Sequence, residues 1–199
     1  MKKLVKTANI LEKLCKVGSI LMAVAGVGLT IAMVFMTGLY LSGESIDFIT
    51  TLDFGPVVFQ PSEAYVLTNQ TDFTLSMLTL ALVVVGVVVA WFFFKTTRQI
   101  LKPIAQNQPF HPSISGNLKK LGWLQIFGGI ATGLIELVEF ITIACCYDLP
   151  GLFLSDKIVS MECNYVIDLN FLFTAMICFL ASYIFRYGTE LQQLSDETL

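Results

Sequence analysis

From Val17 to Leu41 the chain carries no charged side chain, and that single run excludes most folds. A helix needs about 20 apolar residues to cross about 30 Å of hydrocarbon. Three more runs follow. Phe73–Phe94 is also uncharged, with a valine-rich centre. Leu121–Tyr147 is interrupted only by Glu136 and Glu139. Leu169–Phe185 is shorter and is expected to begin a few residues earlier. Backbone polar groups in lipid must be satisfied within the segment, so these spans are helices, and the alternating pattern of a membrane barrel is absent. Composition agrees, with 55% hydrophobic and 14% charged residues against about 25% charged in soluble domains. The expected fold is all-α: a polytopic membrane protein with four transmembrane helices in a bundle. It forms a single integral membrane domain over 1–199, with spans at about 17–41, 73–94, 121–147 and 166–185.

The charges then orient the spans. Lys2, Lys3, Lys6, Lys13 and Lys16 precede the first. Lys95, Arg98, Lys102, Lys119 and Lys120 lie between the second and third, and Arg186 follows the fourth. The segment 42–72 holds Glu44, Asp47, Asp53, Glu63 and Asp72 without a base. The segment 148–168 holds four acids and one lysine. Lysine and arginine stay on the cytoplasmic side. Both termini and the loop 95–120 are therefore expected in the cytoplasm of a cell with this multi-pass protein in its plasma membrane. Two acidic loops, 42–72 and 148–168, face out. The first run is too long for a signal-peptide core of about 7–15 residues, and no A-x-A site follows it.

Between the spans, residues 1–16 read as a short amphipathic helix with Leu4, Leu11 and Leu14 on one face, or simply as a basic flank. The first outer loop admits a short hairpin or an irregular path, and Asn69-Gln70-Thr71 matches a glycosylation acceptor. The second helix is expected to continue to about Leu101, where Pro103 disfavours it. Pro109 and Pro112 bracket a turn around Phe110 and His111, Ser113 or Ser115 caps the third helix, and Trp123 suits the membrane interface. A disulfide from Cys163 to Cys145 or Cys146 is open to the chain in an oxidising compartment. No C-x-x-C occurs, and the one histidine, His111, lies on the other side, so no metal site is expected.

The cytoplasmic loop and the tail carry a resemblance. "ILKPIAQNQPFHPSISGNLKKLGWL" holds a basic helix, a Pro-Phe pair (Pro109, Phe110), then Leu118, Lys119, Lys120, Leu121 and Gly122. "YGTELQQLSDETL" supplies Gly188, Leu191, Gln192, Asp196, Glu197 and Thr198. Together they resemble an uncharacterised bacterial four-span family, domain of unknown function 2975 (DUF2975). The topology covers the whole chain, and the motifs cover about 40 residues. Pro112, Ile114 and Gly116 depart from the polar, helix-favouring residues usual there, which implies a looser start to span three. The resemblance implies architecture more than activity. Family members are associated with small helix-turn-helix regulators, which implies a regulatory, stress-related or immunity-type role.

Glu136 and Glu139 are the residues most in need of an explanation. They are three apart and share a helix face. Gly129 and Gly133 form a small-xxx-small pair that admits a neighbouring helix, and Thr132 adds a hydroxyl. This small, polar, acidic face is expected to point into the bundle, since a charge at mid-membrane costs at least a few kcal/mol. No base lies within any span. The pair is then a candidate proton or cation site or a docking point for a partner helix; alternatively the span rides low and the pair reaches the outer headgroups. Asp168 and Asn170 are their nearest expected polar company.

The basic loop is expected to meet anionic lipid or a cytoplasmic protein, and the acidic tail (Glu190, Asp196, Glu197) could pair with it. No G-x-S-x-G, H-E-x-x-H or phosphate loop occurs. No catalytic residue, cofactor or nucleic-acid binding is therefore expected. The leading expectation is a non-enzymatic membrane protein working through partners in the bilayer or cytoplasm. The alternative is a small homo-oligomeric ion or proton conduit using Glu136 and Glu139.

Overall fold

The computed structural model describes residues 2–42, 52–53, 58–59, 69–146, 151 and 168–197. The expected disulfide partner Cys163 and the second acidic loop up to Ile167 lie outside the described positions, apart from Gly151. Four long helices carry the chain: α1 (Lys2–Leu41), α2 (Asn69–Ala105), α3 (Pro112–Cys146) and α4 (Asn170–Glu197). All four are long and apolar enough to cross a membrane. A minimal antiparallel ladder, β1 (Leu52–Asp53) with β2 (Val58–Phe59), lies between α1 and α2.

The helices overrun the expected spans. At about 1.5 Å per residue, the 40 residues of α1 and 37 of α2 reach about 60 and 55 Å, far beyond the hydrocarbon thickness. Residues 1–16 therefore form no separate amphipathic helix, since α1 runs unbroken from Lys2. Most of the expected loop 95–120 is also helical, and only residues 106–111 connect α2 to α3. Pro103 does not end α2 at Leu101. It sits buried inside the last turn, where the missing N–H costs one bond near an end that other bonds close. Asn107 takes a left-handed conformation, φ 62°. Its N–H donates to the Ile104 carbonyl, and that of Gln108 donates to the Pro103 carbonyl, the paired bonds of a Schellman cap.

His111, rather than Ser113 or Ser115, opens α3. Its Nδ1 accepts the Ser113 backbone N–H at 3.2 Å and lies 2.8 Å from the Ser113 hydroxyl. Its carbonyl accepts the N–H of Ile114. Pro112 fills the first helical position, where its fixed φ fits and no N–H is missed. The start of α3 is tight rather than loose: Ile114 is completely buried and Asn117 nearly so. The helix of the fourth span, α4, begins at Asn170 and continues past Phe185 to Glu197, while 166 and 167 lie outside the described residues. Asp168 caps it by accepting the Asn170 N–H at 2.8 Å.

Two compact units divide the chain. The first comprises 1–28, 85–132 and 168–199; the second comprises 29–84 and 133–167. In the first, each helix packs on the next in sequence. Arg98 Nε donates to Glu12 Oε1 at 3.0 Å, joining α2 to α1. Gly26 lies against Val87, Gly128 against Val89, and Gly122 against Phe179. In the second, the Thr37 hydroxyl approaches Met77 Sδ. Threonines along the spans donate to the carbonyl four residues back, as at Thr79, Thr97, Thr142 and Thr174. Each hydroxyl buried in lipid is thus satisfied by its own helix.

Candidate functional site

The two sequence motifs, far apart in the chain, meet in the first unit. The turn after α2 carries Pro109, half-buried, and Phe110. The Phe110 ring lies over Gly188 of α4, where an added Cβ would come within 2.7 Å of it. Its centroid is 6.2 Å from that of Phe185. The Thr189 hydroxyl donates to the Phe110 carbonyl (3.1 Å) and to its own helix at Phe185 (2.9 Å). Two turns back from Thr189, the Ser182 hydroxyl donates to the Ser115 carbonyl at 2.8 Å. Gly122 is buried under the Phe179 ring, where a Cβ would fall 2.8 Å away. The connection and the tail are therefore held as one assembly by glycines that accept aromatic rings.

Other motif residues do not join this contact. Leu118 is half-buried, whereas Lys119, Lys120, Leu191 and Gln192 are exposed. The side chain of Asp196, and Thr198 entirely, lie outside the described residues. Glu190 does not reach the basic loop; it pairs with Arg186 on its own helix at 3.1 Å. Sequence reasoning passed over Glu12, the sole acid among residues 1–16, which anchors Arg98. It also passed over Phe94, Phe171 and Phe179, the rings seated on Gly18, Gly129 and Gly122. Glu12 was findable by its isolation among lysines. The phenylalanines were not, because 16 of them are spread through the chain without distinguishing spacing.

The residues of the expected acidic face of α3 differ in exposure. Gly129 packs directly on Phe171 of α4, so closely that a Cβ there would overlap the ring. Gly133 is half-buried. Thr132, Glu136 and Glu139, however, are exposed, while Ala131 and Val138 of the same helix are buried. Glu136 lies seven residues beyond Gly129, on the face of α3 that carries the Phe171 contact, yet both carboxylates are exposed. Among the described residues neither is in an ion pair, and no base lies near them in sequence. Thr132 has already given its hydroxyl hydrogen to the Gly128 carbonyl at 3.1 Å. Asp168 is engaged as the cap of α4.

Among the described residues no group of three or more His, Cys, Asp or Glu could hold a metal ion. His111 is occupied as a helix cap, and Cys15 and Cys178 are free thiols. Comparison with known proteins finds no matching family model, curated protein or solved structure.

Proposed function

We propose that this chain is a non-enzymatic protein of the bacterial plasma membrane, with both termini in the cytoplasm, acting through a protein partner that covers the acidic face of α3. The observation that carries the reading is the exposure of Glu136 and Glu139 within a helix long and apolar enough to span a membrane. A carboxylate turned toward hydrocarbon costs several kcal/mol unless it is paired, protonated or near water. No base in this chain's spans can pair with it, so a second copy brings no cation. A partner helix carrying a lysine, an arginine or amide and hydroxyl donors would satisfy the pair. Resemblance to DUF2975 supports the four-span architecture and a regulatory, stress-related or immunity-type setting, and it names no reaction.

The second reading is the conduit. It requires several copies to bring the exposed glutamates together around a shared path, with the acids protonated in turn. One experiment separates the two. A photoreactive side chain placed at Leu137 or Phe140, beside the acids, is crosslinked in native membranes. Adducts with a different membrane protein that vanish on Glu136→Gln with Glu139→Gln support the partner. Adducts only with other copies, together with a proton leak lost in the same variant, support the conduit. Adducts with lipid alone remove both.

A further inference from the structure

The first unit carries a ring of bases at one level of three helices. Gly26 of α1 contacts Val87 of α2, and Gly128 of α3 contacts Val89 of α2, which fixes the register. Lys95 lies six residues beyond Val89, and Lys120 lies eight residues before Gly128. Since α2 and α3 run in opposite directions, the two bases differ in height by two residues, about 3 Å. Lys16, ten residues before Gly26, matches Lys95, eight beyond Val87, equally well. All three, with Lys119, are exposed. Glu12 and Glu190 at this end are already engaged, by Arg98 and Arg186, and Glu197 lies at the far end of α4. Lys95 leans over the ring of its own Trp91 at 4.8 Å. Lys119 and Lys120 are in no ion pair among the described residues.

Below those two lysines α3 changes character along a single face. Trp123 is three and four residues on, followed by Phe127 and Ile130 at spacings of four and three, which keeps them in line on a helix. All three are about half exposed: 50%, 58% and 49%. Trp123 is held in place by an edge contact with Phe179 at 5.8 Å and a tilted contact with Phe127 at 6.4 Å. The order is thus two unpaired cations, an indole with an N–H donor, then an apolar strip leading into the hydrocarbon. That order matches the order of groups in a phospholipid.

We propose that this face of α3 binds an anionic phospholipid, its phosphate at Lys119 and Lys120 and an acyl chain along Trp123, Phe127 and Ile130. Charge complementarity selects the occupant. A zwitterionic lipid cancels its own phosphate, whereas phosphatidylglycerol offers a net negative charge to two cations that lack an internal partner.

The two tryptophans report on it directly. The full-length chain carrying Trp91→Phe, which leaves Trp123 as the reporter, is reconstituted in phosphatidylcholine vesicles. Brominated phosphatidylglycerol or brominated phosphatidylcholine is then titrated in as a contact quencher. The glycerol lipid should quench at a mole fraction about fivefold lower, on the scale of one lysine's attraction to an anionic surface. The preference should shrink in high salt. It should disappear with Lys119→Gln and Lys120→Gln, and persist with Lys102→Gln, whose side chain lies seven residues further from the membrane than Lys95. Equal quenching by the two lipids overturns the proposal, as does a preference that survives loss of both lysines. Native mass spectrometry of the unaltered chain, released from mixed nanodiscs, gives an answer independent of Trp91→Phe. Retained phosphatidylglycerol supports the site, and retention of both lipids in proportion to their abundance overturns it.

Discussion

Gly129→Ala is the substitution that tests the packing most severely. An alanine in a helix interior ordinarily gains up to about 1 kcal/mol over glycine. Here the new methyl would overlap the Phe171 ring at Cγ. That atom is one bond from Phe171's own Cβ and is not moved by rotation about χ2, so relief requires Phe171 to leave its χ1 rotamer or α3 and α4 to separate. Overpacking of this kind costs about 1–3 kcal/mol, and separation also loosens the neighbouring Gly122–Phe179 contact. The clash should therefore exceed the propensity gain, leaving a net loss of about 1–2 kcal/mol. Gly86→Ala is the control, because nothing lies within 4 Å of a Cβ there and only the propensity term acts. Thermal unfolding of both variants in the same detergent, with helicity as the signal, separates the two effects. Adding Phe171→Ala to Gly129→Ala should recover part of the loss, since the two residues share one contact and their effects cannot add. If Gly129→Ala unfolds at the same temperature as Gly86→Ala, or above it, glycine–phenylalanine contact does not hold these helices together.

Three further outcomes follow from the same geometry. Gly188→Leu should expel Phe110 from the tail and expose α4 beyond Phe185 to limited proteolysis; an unchanged cleavage pattern would show that the contact does not hold the tail. His111→Ala should cost about 1 kcal/mol through loss of the α3 cap, whereas His111→Asp should retain most of it; equal stability of the two variants in denaturant titration would show that the Nδ1 bond contributes nothing. Glu12→Gln and Arg98→Gln should each cost no more than about 1 kcal/mol, because Arg98 is 43% exposed and water screens the pair. A double-mutant cycle returning several kcal/mol would place this pair in a drier setting than described.

The four spans were legible because a bilayer demands long uncharged runs and tolerates only helices. Their ends were not legible, because outside the hydrocarbon the same rule stops applying. Residues 1–16 and 95–120 look like basic loops by charge, but Ala8, Thr96, Ile100, Ile114 and Asn117 are buried there. Pro103 was read as a stop since proline removes a helix bond. A cap built on Asn107 supplied the compensating bonds, and a single asparagine gives little warning of that in a polar stretch. For Glu136 and Glu139, periodicity correctly placed both on one face of α3. That Phe171 seats on Gly129 of that face, and that both carboxylates are nonetheless exposed, are tertiary facts that no spacing within α3 encodes.

The distribution of buried residues in the first unit has a physical cause that bears on where function resides. Between helices in lipid there is no hydrophobic gain on association, because the tails are as apolar as the side chains. Packing there must come from close approach, and it does, through Gly18, Gly122 and Gly129 receiving aromatic rings. Beyond Lys16, Lys95, Lys119 and Lys120 apolar side chains are enclosed instead, the packing expected where burial of apolar surface drives association. There Ile114 is fully enclosed, and Ile100 and Ala8 nearly so. The helical extension on the lysine side is consequently assembled like a small soluble core, locked by Phe110 on Gly188. The spans above it leave wide faces open to lipid or to another protein: Leu21, Val24 and Val34 of α1 and Leu180 of α4 are each more than 60% exposed. A chain built this way is closely packed at its lysine-side end and open along its spans. The acidic pair of α3 is exposed as well, and the partner proposed above would supply the donors that carboxylates at membrane depth require.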